Sequence, residues 1–245
     1  VNHLSATHVA DARLARGGAA EAARARRVAF PRAEFPVYAP VERRADAAVH
    51  ALGLALGLAG CVLLAATVPP RADPSLRFAL ALYMAGLMAM FGCSALYNLA
   101  HEVGRKRLLR RFDQAAIFLM IAGTYTPVAL VSIGGAWGVG LLAFVWSAAV
   151  GGMTVKLLAL RCPEWLSVAL YLLLGWSVVV AFEPLAAAVP TATLLLLAAG
   201  GVLYSVGVIF HLWLGLPHHN AIWHGFVLAG ATCHWWAIVR EVAAG

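Results

Sequence analysis

Long uncharged apolar stretches alternate with short charged ones along this chain, and the lengths of the uncharged stretches predict its elements. A hydrocarbon core about 30 Å thick is crossed by about 20 helical residues. Residues 47 to 70 predict one span and residues 78 to 100 a second. From Gln114 to Val155 run 42 residues without Asp, Glu, Lys or Arg, too many for one helix, and Gly134-Gly135 predicts the break between a third and a fourth. Residues 165 to 182 predict a short fifth span. The 56 residues from Pro184 to Val239 hold two more, separated around Leu216-Pro217-His218-His219. The expected fold is all-α, a bundle of seven transmembrane helices.

Composition narrows the function classes. The 245 residues are 62% hydrophobic and 12% charged, too apolar for an ordinary soluble domain. A soluble enzyme, a nucleic-acid binder and a secreted disulfide scaffold are therefore excluded as first readings. The net charge of +7 comes from basic residues beside the apolar stretches, so it reads as a topology signal and implies no nucleic-acid partner. Cys61, Cys93 and Cys233 sit within apolar runs and Cys162 near a short loop, with no metal-ligand or redox spacing among them. Residues 1–40, rich in Ala and Arg and punctuated by Pro31, Pro36 and Pro40, are expected to be a disordered cytoplasmic tail, and residues 41–245 the membrane domain. The first apolar segment after the tail is long enough to span, which argues against a cleavable signal peptide.

Orientation follows from the flanking Lys and Arg. The N-terminal flank through Arg44 carries eight, the loop His101 to Arg111 five, and Lys156 with Arg161 two, which places 15 on one side. Arg71, Arg77 and Arg240 are the three on the other. The N-terminus is thereby expected in the cytoplasm and the C-terminus outside. Gly53 and Gly57 form a GxxxG pair in the first span, although in a chain this rich in Gly and Ala chance is the simpler explanation.

Polar groups at membrane depth are costly and usually face a bundle interior, which makes them the best functional signal here. His50 opens the first span; Ser94, Tyr97 and Asn98 close the second; Asp113 opens the third; Asn220 and His224 open the seventh. All of these ends are cytoplasmic in the expected orientation. His234, ten residues beyond His224, lies about 15 Å deeper along a helix. Any one of these residues could simply meet the interface, and Asp113 could be a helix cap. Convergence from four spans favours a cytoplasm-facing pocket lined by Ser94, Tyr97, Asn98, Asp113, Asn220, His224 and His234. His211, near the same end of the sixth span, is expected to snorkel to the interface. The tryptophans fit interfacial belts and helix packing better than a cofactor site.

Several of these segments resemble the haemolysin III family, which is related to the progestin and adiponectin receptors. The resemblance is carried by Ser94-Ala-Leu-Tyr97, by Asp113-Gln-Ala-Ala-Ile117 continuing into Ile121-Ala-Gly-Thr-Tyr-Thr-Pro127, and by Asn220-Ala-Ile-Trp-His224 followed by His234. Glu42 and His50 also match the family's first-span pattern, so the likeness runs from about residue 41 to 238. It implies seven spans with the N-terminus inside, a bacterial inner-membrane location, and a zinc ion near the cytoplasmic face. That ion is held by one histidine ending the second span and two at i and i+4 on the seventh, with a third-span Asp orienting bound water. The present chain departs from this set: Asn98 and Asn220 stand at two of the three ligand positions, leaving His224. An amide oxygen lacks the imidazole nitrogen that zinc favours.

A zinc cofactor is therefore disfavoured; rearranged ligation by His101, His219 and His224 is geometrically conceivable but poorly favoured, because five residues turn His219 about 140° around the helix axis from His224. The leading expectation is an integral membrane protein whose pocket binds a lipid or small amphiphile without zinc-dependent turnover. The alternatives are a metal-dependent lipid amide or ester hydrolase, with Asp113 as base or water-orienting group and Ser94 beside it, and a proton-linked transporter using Asp113, His224 and His234. A cytolytic, pore-forming role is carried by the resemblance alone.

Overall fold

A computed structural model describes residues 35–36, 38–160 and 162–244, and among them the regular structure is helical throughout. The expectation of a disordered tail falls almost entirely outside these residues. Helix α1 runs Pro40–Thr67, α2 Pro74–Leu99 and α3 Val103–Pro127. Past Pro127 the chain widens into a π-helical turn, Val128–Ile133, and stops at Gly134. Gly134 and Gly135 both take positive φ, 62° and 55°, which a residue with a Cβ rarely tolerates, so the predicted break falls at these glycines. Helix α4 follows at Gly135–Leu157, α5 at Glu164–Gly175, α6 at Phe182–Ala188, α7 at Thr191–Leu212 and α8 at His219–Ala244.

Among the described residues, six helical segments are long and apolar enough to cross a membrane: Pro40–Thr67, Pro74–Leu99, Val103–Ile133, Gly135–Leu157, Glu164–Ala188 and Thr191–Leu212. Their outer faces carry large apolar side chains such as Leu63, Phe78, Val139, Leu173 and Val180 with nothing packed over them. This is the surface a bilayer covers and water does not. Helix α8 has 26 residues, but His224 and His234 interrupt its apolar run.

The fifth segment is broken in the middle. Helix α5 ends at Gly175, a 3-10 turn occupies Ser177–Ala181, and α6 resumes at Phe182. A break at membrane depth frees backbone groups that must find partners. Tyr125 of α3 supplies them: its hydroxyl donates to the Gly175 carbonyl at 2.8 Å and accepts the Val178 N–H at 2.8 Å and the Ser177 hydroxyl at 3.1 Å. The aromatic residue of the Thr-Tyr-Thr-Pro stretch thus closes the gap left by an irregular neighbour. Its flanking Thr126, 1% exposed, accepts the Trp146 indole N–H of α4 at 3.0 Å.

Small residues set the close crossings. A Cβ at Gly86 of α2 would meet the Leu119 carbonyl oxygen at 3.1 Å, and one at Gly123 of α3 would meet the Leu82 carbonyl oxygen at 3.0 Å, so these two helices touch backbone to backbone. The Gly53–Gly57 pair has a similar use that composition hid. Both glycines face the ring of Phe91, and added Cβ atoms would sit 3.3 and 3.0 Å from it, so the pair is the groove that seats this α2 side chain. The main core joins α1, α2, α3 and α8 through Leu64, Leu80, Tyr83, Phe91, Met120 and Ile238; a second joins α3, α4 and α5 through Phe118, Val145 and Leu174. The first core packs the stretches of α1, α2 and α8 that lie away from their polar ends, and so fixes from a distance how those ends meet.

Candidate functional site

Helix α1 starts at Pro40, seven residues before the apolar stretch, and this extension builds the site. Glu42, Asp46 and His50 then stand at i, i+4 and i+8, on one helical face. Asp46 is 8% and His50 6% exposed, so their polar atoms depend on protein partners. His50 Nδ1 lies 2.7 Å from the Asp46 carbonyl oxygen one turn back, which can only accept, so the proton belongs on Nδ1 and Nε2 is the lone pair. Nε2 accepts from the Ser94 hydroxyl of α2 at 3.2 Å.

His224, on the second turn of α8, repeats the pattern. Its Nδ1 lies 2.6 Å from Asp46 Oδ1 and donates to the carboxylate; its Nε2 lies 3.4 Å from Ser94 Oγ. The two imidazoles meet edge to face with centroids 4.2 Å apart. Both rings are therefore anchored through Nδ1 by one residue, Asp46, and both direct Nε2 at one hydroxyl, that of Ser94. Asp113 of α3 is half-buried and also turns its carboxyl toward Ser94. Beside this group the Asn98 amide donates to the Ser94 carbonyl at 3.0 Å and accepts the Asn220 amide N–H at 3.1 Å. The His218 N–H donates to Glu42 Oε1 at 3.0 Å, pinning the start of α8 to α1.

Of the residues expected to line a pocket, Ser94, Asn98, Asp113, Asn220 and His224 thus lie together. His234 does not join them. Tyr97 lies under the Lys106 ammonium, 5.1 Å from its ring centroid. His234 donates to the Leu197 carbonyl at 3.1 Å and packs on Gly200 and Tyr204 between α7 and α8. His211 lies 3.2 Å from Glu164, which also pairs with Arg110 at 2.6 Å, so it ties α7 to α5 and α3. Sequence reasoning missed Asp46, which sits among Glu42, Arg43 and Arg44 and looks like part of the charged flank. The i, i+4, i+8 spacing was the available signal.

The family model for haemolysin-III related proteins matches residues 42–235. The chain belongs to the haemolysin III family. It is 35% identical over 201 residues to Hemolysin-3 of Bacillus cereus, covering 82% of this chain and 92% of that protein. Against the Hemolysin-3 homolog of Bacillus subtilis (strain 168) it is 34% identical over 198 residues, 81% of this chain and 93% of the relative. A more distant likeness is to the human Monocyte to macrophage differentiation factor, 28% identical over 163 residues, 64% of this chain and 67% of that one. No solved structure matches. Family membership and six apolar spanning helices together make this haemolysin III protein an integral membrane protein.

The three-histidine zinc set that the resemblance implies does not fit these residues. Asn98 and Asn220 occupy two of its positions and are bonded to each other, and only His224 offers an imidazole. Among the described residues, one group could hold a metal in another way: Asp46, His50 and His224 each place one ligand atom within 4.8 Å of the others. The Asp46–His224 contact is a hydrogen bond at 2.6 Å, whereas two ligands about 2.0–2.1 Å from a tetrahedral zinc stand about 3.3 Å apart. To take both as ligands, an ion would have to break that bond and spread the pair.

Proposed function

We propose that this haemolysin III protein binds a lipid or small amphiphile in a polar pocket that opens toward the cytoplasm, without a zinc ion. In this reading α8 is a seventh span, the N-terminus is cytoplasmic, the C-terminus is external and the membrane is the bacterial inner membrane. The observation that carries it is the hydrogen-bonded set from α1, α2 and α8 centred on Ser94, with Asp113 of α3 beside it. Four separate helices bring polar groups to one level of an otherwise apolar bundle. A headgroup carrying hydroxyls or an ester can exchange hydrogen bonds with such a set while its acyl chain follows apolar helix faces. The 15-to-3 distribution of basic residues supports the orientation.

Purified protein tests it directly. Native mass spectrometry after mild detergent extraction is expected to show about one retained lipid or amphiphile per chain, lost on His224→Leu while the protein still elutes as a folded species. Protein retaining nothing beyond detergent contradicts the reading.

A metal-dependent hydrolase is the second reading, favoured by the proximity of Asp46, His50 and His224. It predicts a stoichiometric divalent metal that disappears in His50→Ala and in His224→Ala. Metal-free protein that keeps its bound lipid favours the first reading. Replacing Asn98→His and Asn220→His together is expected to introduce zinc binding, because the backbone already brings both positions within reach of His224.

A further inference from the structure

The geometry points to a serine hydrolase relay inside this pocket, with Ser94 as nucleophile, His224 as its base, Asp46 as the residue that positions His224, and a lipid carboxylic ester as substrate. The inference rests on the pocket reading above and gives that pocket a reaction. Asp46 Oδ1 lies 2.6 Å from His224 Nδ1, and His224 Nε2 lies 3.4 Å from Ser94 Oγ. A carboxylate fixing the tautomer of an imidazole whose other nitrogen faces a serine hydroxyl is the arrangement that activates serine, and it is recognised by geometry rather than by chain order. Hydroxyl-to-base distances of this length tighten when a substrate arrives.

Two imidazoles face Ser94, and chemistry separates them. His50 places Nδ1 on a backbone carbonyl, and the nearest carboxylate oxygen is 3.6 Å from that nitrogen. A proton arriving on His50 is thus poorly compensated. His224 has the carboxylate in direct hydrogen-bond contact, so the imidazolium formed during attack is stabilised there. His50 therefore orients the hydroxyl in the resting state and His224 accepts its proton.

The asparagines acquire a use in the same scheme. Asn98 Nδ2 lies 3.5 Å from Ser94 Oγ and is the side-chain amide donor beside the nucleophile; Asn220 holds its oxygen. Amide N–H groups stabilise an oxyanion, which imidazoles committed to a metal could not do. Asn98 and Asn220 are thus a change of chemistry at two positions rather than a loss.

The steps balance without redox change. Ser94 Oγ bonds to the acyl carbon while its proton passes to His224 Nε2 and the carbonyl electron pair moves to oxygen. Collapse breaks the bond to the alcohol oxygen, which takes the proton from His224. Water, reaching the site from the cytoplasm, repeats the sequence on the acyl-serine and releases the carboxylic acid, restoring the Ser94 hydroxyl.

The test is labelling of the full chain in detergent by a long-chain alkyl fluorophosphonate, with the adduct mapped by mass spectrometry. One adduct on Ser94 is expected, absent in Ser94→Ala and formed about a hundredfold or more slowly in His224→Gln. Asp46→Asn is expected to slow labelling and move its pH profile, with partial rescue by Asp46→Glu, which loss of packing alone would not give. His50→Gln should cost less than His224→Gln, and Ser205→Ala, on the α7 face, should label at the unaltered rate. No adduct on Ser94 in folded protein, or a rate indifferent to His224→Gln, overturns the relay. If that protein still carries its lipid by native mass spectrometry, the relay alone has failed; if it carries none, the pocket has failed with it.

Discussion

Asp46 performs two tasks within one turn of α1: its carbonyl oxygen takes the His50 ring N–H and its carboxylate takes that of His224. Only the second needs the side chain. Asp46→Leu is therefore expected to leave His50 oriented and to strand the His224 Nδ1–H, at a cost of about 1–3 kcal/mol for an unsatisfied buried donor. Thermal unfolding in detergent checks the magnitude, and an unchanged midpoint would show that His224 finds another acceptor. The residue was hard to read from sequence because charge near a span end ordinarily marks the flank. Ser94 and His224 were legible because uncharged surroundings make a polar group conspicuous, and Asp113 because it is the acid at which a basic stretch gives way to 42 uncharged residues. His234 was equally conspicuous, yet it faces elsewhere, since position along a span fixes depth and not which neighbour a side chain meets.

At the scale of elements, the uncharged stretches marked where helices run, and Gly134-Gly135 marked a real turn because both residues need positive φ. The break inside the fifth segment was not legible, because Leu172-Leu173-Leu174-Gly175-Trp176 carries no residue that forbids a helix. Tertiary contact makes it possible through Tyr125. Tyr125→Phe is expected to leave the Gly175 carbonyl and Val178 N–H unpaired, destabilising the protein by about 1–3 kcal/mol per group and raising hydrogen exchange selectively across residues 175–182. Protection unchanged there would mean that the broken segment needs no stitch. The start of α2 behaves differently, being outside the apolar region. Asp73 caps it by accepting the Ser75 N–H at 2.7 Å and the Ser75 hydroxyl at 2.6 Å, and these bonds hold its pKa below the ordinary 3.8. A depressed folded pKa means the contribution is complete above the unfolded value and is lost as pH falls through the folded one. Hydrogen exchange at residues 75–78 is expected to accelerate on acidification below about pH 4, and Asp73→Asn to flatten that dependence.

For the whole molecule, the basic residues and the polar span ends speak to the same question, which face of the membrane the Ser94 cluster opens to. The six apolar spans and the polar clustering lie in the chain's own pattern, whereas an opening is a property of how helices splay in a bilayer. Cysteine accessibility reads it most directly. Cys61, Cys93, Cys162 and Cys233 are all free, so they are first replaced, and Ser94→Cys and a cysteine at Arg107→Cys, in the basic first turns of α3, are then made separately. In sealed vesicles of known sidedness, a membrane-impermeant thiol reagent is expected to modify both from the cytoplasmic face alone, with the Ser94 position protected by added amphiphile and the Arg107 position indifferent to it. Modification of Ser94→Cys from the external face, or reaction of the two positions from opposite faces, would contradict an inward-opening pocket.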